Sequence, residues 1–195
     1  MDISVQRKNM IESQVRPSDV TDRRIVRAMG EIPRELFVPD AARALAYMDD
    51  AIALEVSASG SRRALLAPRT FAKLAQAAEI DAGSVVLDVG AATGYSSAVL
   101  AALGARVIAL EADPALAQHA RETLAQLNVA GVDVFEGDLA LGWTSEGPYD
   151  AIVVEGAVEF VPPVLLDQLK DGGRLVAILA ARGAARATVW RRDGS

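Results

Sequence analysis

Residues 84–95 read SVVLDVGAATGY. The opening SVVLDVG is a near-continuous apolar run, the pattern of a strand buried on both faces. Gly90 and Gly94 then flank a tight turn, and a helix is expected from Tyr95 to about residue 103, with Gly104 ending it. A strand, a glycine turn and a helix in that order let backbone come close to a ligand, because glycine carries no Cβ. In open α/β sheets such ligands bind at the carboxyl ends of the strands, near the point where strand order reverses.

The alternation continues downstream. Strands are expected at 105–111, 132–138, 149–156, 174–180 and 185–192, with a helix opening at Asp113-Pro114 and another at Pro163 that ends at the KDGG turn. This is an α/β fold with a mostly parallel sheet and helices on both faces. Upstream the chain reads as a helical extension. Helices are expected at 3–15, at 22–29 with Thr21 as N-cap, and at 41–47, with a short strand at 51–56 and a helix from Pro68 toward Ile80. The 195 residues suit one domain, with a substrate-side region at 1–81 and the sheet at 82–195.

The net charge of −6 disfavours a nucleic-acid partner. Absence of cysteine excludes disulfide and thiolate chemistry, and the single histidine, His119, excludes a histidine-rich metal site. No metal is expected. The charged N-terminus does not read as a signal peptide, and no apolar run is long enough to span a bilayer, so the expectation is a cytoplasmic protein without a membrane partner.

Two features separate the glycine turn from a dinucleotide site. Its spacing is G-x-x-x-G, with Ala92 where G-x-G-x-x-G has its middle glycine, and Asp88 stands just before it. A carboxylate there repels pyrophosphate and suits a ligand bearing a cation, such as S-adenosylmethionine. Glu111 closes the next strand about 20 residues on, where an acid accepts both donors of a ribose diol. Asp138 ends the third strand, where an acid can accept an adenine amino group. The candidate cofactor residues are Asp88, Gly90, Ala91, Ala92, Gly94, Tyr95, Glu111, Ala112, Asp138 and Leu139.

With these residues the chain resembles a class I S-adenosylmethionine-dependent methyltransferase and, more narrowly, the protein-L-isoaspartate O-methyltransferase family. The resemblance runs through residues 9–54, most specifically IPRELFVP at 32–39, then LDVGAATGY, EGDLALGW, PYDAIVVEGA and LLDQLKDGGRLV. It implies a Rossmann-like sheet, S-adenosylmethionine as cofactor, and esterification of the carboxylate of an isoaspartyl residue in a protein or peptide, a repair reaction. A carboxylate is already ionised at pH 7, so such a reaction needs orientation more than acid–base help.

The resemblance weakens at SGSRRALLAP, residues 59–68. The family carries a Q-T-I-S-Q-P type motif here, whose hydroxyls and backbone hold the substrate carboxylate. This chain has Ala64-Leu65-Leu66-Ala67 in that place, so no catalytic residue is carried over. Arg62 and Arg63, as bidentate anion holders, and Ser59 and Ser61, as replacement hydroxyls, are the substrate-loop candidates; each also reads as a solvated loop residue. Glu155 stands after strand four where the family has small residues and threonine. Beside a carboxylate substrate it would repel unless paired with Arg62 or Arg63, and otherwise it is a solvated rim charge.

Other readings remain open: a divergent relative with another carboxylate or small-molecule acceptor, a cofactor-binding protein without isoaspartyl activity, a nicotinamide-dependent dehydrogenase, and a nucleic-acid methyltransferase. This architecture also closes with a seventh, antiparallel strand. None is visible after residue 192, and the expectation is that it is missing from these 195 residues.

Overall fold

The computed structural model describes residues 2–54, 63–180 and 185–194. Helix α1 (Ile3–Met10) starts at Asp2, whose carboxylate accepts the Ser4 N–H at 2.9 Å. It does not run on as a plain α-helix to residue 15. It widens into a π-turn over Ile11–Val15 and tightens into a 3-10 turn over Arg16–Ser18. The wider turn helps bring Met10, Ile11 and Val15 together into the core. Helix α2 (Arg23–Glu31) is capped by Asp22, not by Thr21. Asp22 Oδ1 accepts the Arg24 N–H at 2.8 Å, while the N–H groups of Thr21 and Asp22 are both taken by Gln76 Oε1. The segment expected as a third helix is a 3-10 stretch, Asp40–Leu45.

Strands β1 (Ile52–Ala53) and β2 (Ala64–Leu65) form a small antiparallel pair, and helix α3 (Pro68–Ala77) follows with Phe71, Ala72, Leu74 and Ala75 buried. The main sheet then forms from β3 (Val85–Val89), β4 (Arg106–Glu111), β5 (Val132–Glu136), β6 (Tyr149–Val158), β7 (Leu169–Leu179) and β8 (Arg186–Arg191). Its order is β5-β4-β3-β6-β7-β8, parallel except for β8, which runs antiparallel to β7. Residues Lys170–Gly173, expected as a turn, are absorbed into β7, and a shift of register against β6 between Tyr149 and Ala151 accommodates them.

Side-chain alternation along the strands makes two cores. Val86, Val107, Ala151 and Val176 pack on the face covered by α3, α4 (Tyr95–Ala102) and α5 (Pro114–Gln126). Leu87, Ile108, Ile152 and Leu175 face the other side, covered by the short α6 (Pro163–Asp167) and by Trp143, whose ring stacks on Phe135 at 4.6 Å. From β3 the chain steps outward to β4 and β5, then returns to place β6 on the other side of β3. The switch point therefore lies between the carboxyl ends of β3 and β6, where a ligand is expected. Among the described residues no helix is long and apolar enough to cross a membrane.

Candidate active site

The turn after β3 is fixed by its own backbone. Gly90 and Ala91 donate their N–H groups to the Leu110 carbonyl at 2.8 and 3.1 Å, and Gly94 donates to Ala91 at 2.8 Å. Gly90 has φ +80° and Gly94 φ +92°, values that side-chain-bearing residues resist. Gly94 also packs so closely on α5 that an added Cβ would lie 3.1 Å from the Ala120 Cβ. Ala92, in place of a middle glycine, sits at φ +52°. Thr93 donates its hydroxyl to the Phe37 carbonyl at 2.5 Å, tying the turn to the IPRELFVP segment.

Glu111, fully buried at the end of β4, holds the turn from the side. Its Oε1 accepts the N–H groups of Ala112 and Asp113 at 2.8 and 3.0 Å. Its Oε2 accepts the Ala92 N–H at 2.7 Å and the Arg63 guanidinium at 2.5 Å. Asp88, fully buried in β3, has an asymmetric environment: Oδ2 accepts the Ser96 and Ser97 hydroxyls at 2.7 and 2.5 Å, while Oδ1 has no partner. Burial pushes this carboxyl up to about 6, against the pull of the two serines, and the Glu111 charge adds to the rise.

A cleft of about 400 Å³ opens beside the turn, within the ~300–1,000 Å³ range of small-molecule sites. Arg63, Gly90, Leu139, Val154, Glu155 and Phe160 help to line it. Glu155, at the far end of β6, also lines a cavity of about 10 Å³ with Arg34, Leu66 and Tyr95, and its Oε1 is shielded from solvent without a partner. Burial and the charge of Asp88 push Glu155 well above the usual carboxylate range, against Arg34 and Arg63. Arg34 is buried; its Nε and Nη2 donate to the carbonyls of Ala46 and Leu66 at 2.8 and 2.7 Å, and its guanidinium lies 4.8 Å from the Tyr95 ring centre. Desolvation lowers the pKa of Arg34 and raises that of the Tyr95 phenol, each opposed by the other group.

Of the residues expected from sequence, Asp88, Gly90, Ala91, Ala92, Gly94, Tyr95, Glu111 and Ala112 come together at or behind this turn. Leu139 lines the cleft. Asp138 is exposed beyond β5, and its carboxylate caps the Ala140 N–H at 2.8 Å. Arg63 is in the cleft, while Ser59, Ser61 and Arg62 lie outside the described residues. Among the described residues no group of three or more metal-ligating side chains gathers. Arg34, Thr93, Ser96 and Ser97 were not singled out from sequence. The one signal for Arg34 was a charged residue inside the apolar, proline-bracketed IPRELFVP.

A parallel sheet with a glycine turn at its switch point and acids closing β3 and β4 defines the class I methyltransferase fold. A family model described as protein-L-isoaspartate(D-aspartate) O-methyltransferase matches residues 5–194. The chain belongs to that family. A protein-L-isoaspartate O-methyltransferase 2 from Anaeromyxobacter sp. (strain Fw109-5) is 40% identical over 171 residues, 88% of this chain and 68% of that protein. A protein-L-isoaspartate O-methyltransferase from Methanoculleus marisnigri is 40% identical over 177 residues, 91% of this chain and 78% of its own length. A solved protein-L-isoaspartate O-methyltransferase superposes with a TM-score of 0.82 at 25% identity over 96% of this chain, which spans 60% of that protein's length. A Plasmodium falciparum structure of this type, in complex with S-adenosyl-L-homocysteine, gives 0.79 at 19% identity over 96% of this chain and 90% of its own, a likeness of fold.

Proposed function

We propose that this chain is an S-adenosylmethionine-dependent methyltransferase that esterifies the carboxylate of isoaspartyl residues in proteins or peptides. The observation that carries the cofactor half is the turn itself: Gly90 borders the cleft, Glu111 holds the Ala92 N–H of the same turn, and Asp88 in the strand before it keeps a shielded oxygen without a partner. Family membership over residues 5–194 supports the acceptor half. Within this reading the process is protein repair and the compartment is the cytoplasm.

The residues fit the cofactor. Asp88 Oδ1 is an acceptor lacking a donor, which an ammonium supplies. Glu111, at the end of β4, would accept the ribose hydroxyls once one of its present donors gives way, and the Leu139–Ala140 side of the cleft would take the adenine, near Asp138. When bound, S-adenosylmethionine supplies a methyl carbon that bonds to a carboxylate oxygen while the carbon–sulfur bond breaks and its electron pair leaves on sulfur. The chain's own contribution is orientation. The turn would orient the bound cofactor, the buried apolar wall of Val89, Val154 and Leu165 would limit water, and no proton has to be removed from an ionised acceptor.

One observation favours a second reading. Glu155 stands on the cleft wall with an unsatisfied oxygen and faces the site where a carboxylate would enter. An acceptor bearing a hydrogen-bond donor, an amine or a hydroxyl, satisfies that oxygen directly. The test is methyl transfer from labelled S-adenosylmethionine to an isoaspartyl peptide, with the aspartyl peptide as control and binding of S-adenosylhomocysteine measured in parallel. Transfer to the isoaspartyl peptide alone supports the first reading. Cofactor binding without transfer to either peptide rejects it and favours the second.

A further inference from the structure

The Arg63 side chain lies in the cofactor cradle. A Cβ added at Gly90 would meet its Nη2 at 2.9 Å and its Cζ at 3.6 Å, so the guanidinium covers the very backbone that glycine leaves open. The residue is pinned at its base, where the Arg63 carbonyl accepts the Leu54 N–H at 2.9 Å just before β2. At its tip Nη2 meets Glu111 Oε2 at 2.5 Å. Between them Nε is buried and has no acceptor. A guanidinium has five N–H donors in a planar fork, and here the one on Nε is left without an acceptor.

Two demands converge on this side chain. Glu111 is the group assigned to the ribose diol in the reading above, yet Arg63 already holds one of its oxygens. A ligand that approaches Gly90 and takes Glu111 must therefore move Arg63. Among the described residues that line the cleft, Arg63 is also the one cation, while Glu155 and the exposed Glu159 are its acids. Glu155, with its pKa raised by burial, offers a displaced guanidinium little counter-charge. An incoming carboxylate offers a full one in the geometry that a guanidinium binds best.

We propose that Arg63 changes partner during the reaction cycle: it closes the cofactor cradle through Glu111 before the cofactor binds, and anchors the acceptor carboxylate once the cofactor has claimed Glu111. Binding is then ordered, cofactor before acceptor. This rests on the carboxylate-acceptor reading above and adds to it a specificity-determining residue and a sequence of events.

The test uses the full chain and its Arg63→Ala and Arg63→Lys variants, each first shown by thermal unfolding to be folded. Calorimetric titration with S-adenosylhomocysteine should give tighter binding to Arg63→Ala than to wild type, by about 3- to 30-fold, because no ion pair has to be broken. In the same instrument an isoaspartyl peptide should bind wild type only when S-adenosylhomocysteine is present. In steady-state assays Arg63→Ala should raise KM for that peptide about tenfold or more with a smaller change in kcat, and Arg63→Lys should recover part of the loss. Weaker cofactor binding by Arg63→Ala would make Arg63 a cofactor holder and overturn the exchange. An unchanged peptide KM, or peptide binding that ignores the cofactor, would overturn the anchor while leaving the isoaspartyl reading intact. Absence of transfer by wild type itself would reject that reading, and the anchor with it.

Discussion

Replacing Glu111 with glutamine tests whether this carboxylate holds the glycine turn in shape. Four donors converge on it: Ala112 and Asp113 N–H on Oε1, Ala92 N–H and Arg63 on Oε2. Glutamine is almost the same size, but one of its two terminal atoms is itself a donor. Whichever way the amide turns, an NH₂ group faces two donors and two hydrogen bonds are lost. If the oxygen stays toward Ala112 and Asp113, the buried Ala92 N–H is orphaned at about 1–3 kcal/mol and Arg63 loses its acceptor. Arg63 can swing into the cleft and recover solvation, so its share is smaller. The two surviving bonds also weaken, from a charged acceptor to a neutral one. The sum is about 2–4 kcal/mol of lost stability without cofactor, a fall of roughly 1–2 M in the urea midpoint at an m-value of ~2 kcal/mol/M. The assay is urea unfolding of both proteins at neutral pH. A loss below about 0.5 kcal/mol would refute the reasoning: the turn would then be held by its own backbone bonds, and Glu111 would be free for ligand from the start.

The remaining predictions concern the turn and its acids. Asp88 is raised to about 6, above the unfolded value of 3.8, so its folded form is favoured protonated and stability is lost as pH rises through about 6. Asp88→Asn, which removes that charge, should therefore gain on wild type in urea unfolding between pH 4 and 7, by about 2–3 kcal/mol at the upper end; a pH-independent difference would count against it. If Asp88 holds the cofactor's ammonium, as proposed above, binding of S-adenosylmethionine needs the ionised carboxylate, and its affinity in calorimetry should fall about tenfold per pH unit below 6 in wild type and flatten in Asp88→Asn. Gly94→Ala places a methyl group at φ +92° and 3.1 Å from Ala120, and should cost about 1–3 kcal/mol in the same unfolding assay. Thr93→Val removes the hydroxyl bond to Phe37 and should cost about 1–2 kcal/mol, read as a lower urea midpoint.

What was legible in the sequence is what local pattern determines. The apolar runs VVLDV and RVIALE announced buried parallel strands, and their last residues necessarily reach the carboxyl edge of the sheet. That is why Asp88 and Glu111 could be placed from spacing alone. Less legible were choices between neighbours of similar chemistry. Thr21 and Asp22 both suit an N-cap, and the decision came from Gln76, more than fifty residues away in the chain, which takes both their N–H groups. Nor does any local signal reveal that α1 widens into a π-turn, since its apolar residues read equally well as plain helix. Arg63 was a candidate from its place in the loop, but its partner, like the whole role of Arg34, was illegible for a deeper reason. A guanidinium's environment depends on what the fold brings to it, and Arg63 meets Glu111 across a separation of 48 residues. The acids of the site had a place in the strand pattern; the cations reached it from the segment before the sheet.

That division bears on how this site works. The three acids differ in what the fold itself gives them. Glu111 has a donor in every direction, Asp88 is satisfied on one oxygen, and Glu155 keeps a shielded oxygen with nothing on it. Burying a polar atom without a partner costs free energy, and folds avoid it where no ligand is involved. Of six such side-chain atoms among the described residues, four, Asp88 Oδ1, Glu155 Oε1, Tyr95 Oη and Arg63 Nε, gather around one glycine turn, while Gln14 Oε1 and Trp143 Nε1 belong to other parts of the fold. The simplest physical account is that the turn is built for a ligand that supplies donors to the acids and an acceptor to the arginine. A zwitterionic sulfonium amino acid joined to a nucleoside supplies the first, and a carboxylate acceptor supplies the second. The chain thus keeps its family's cofactor chemistry in the strand ends. On the exchange proposed above, acceptor recognition moves from the hydroxyls expected at residues 64–67 to Arg63, a charged group that must first be released from Glu111.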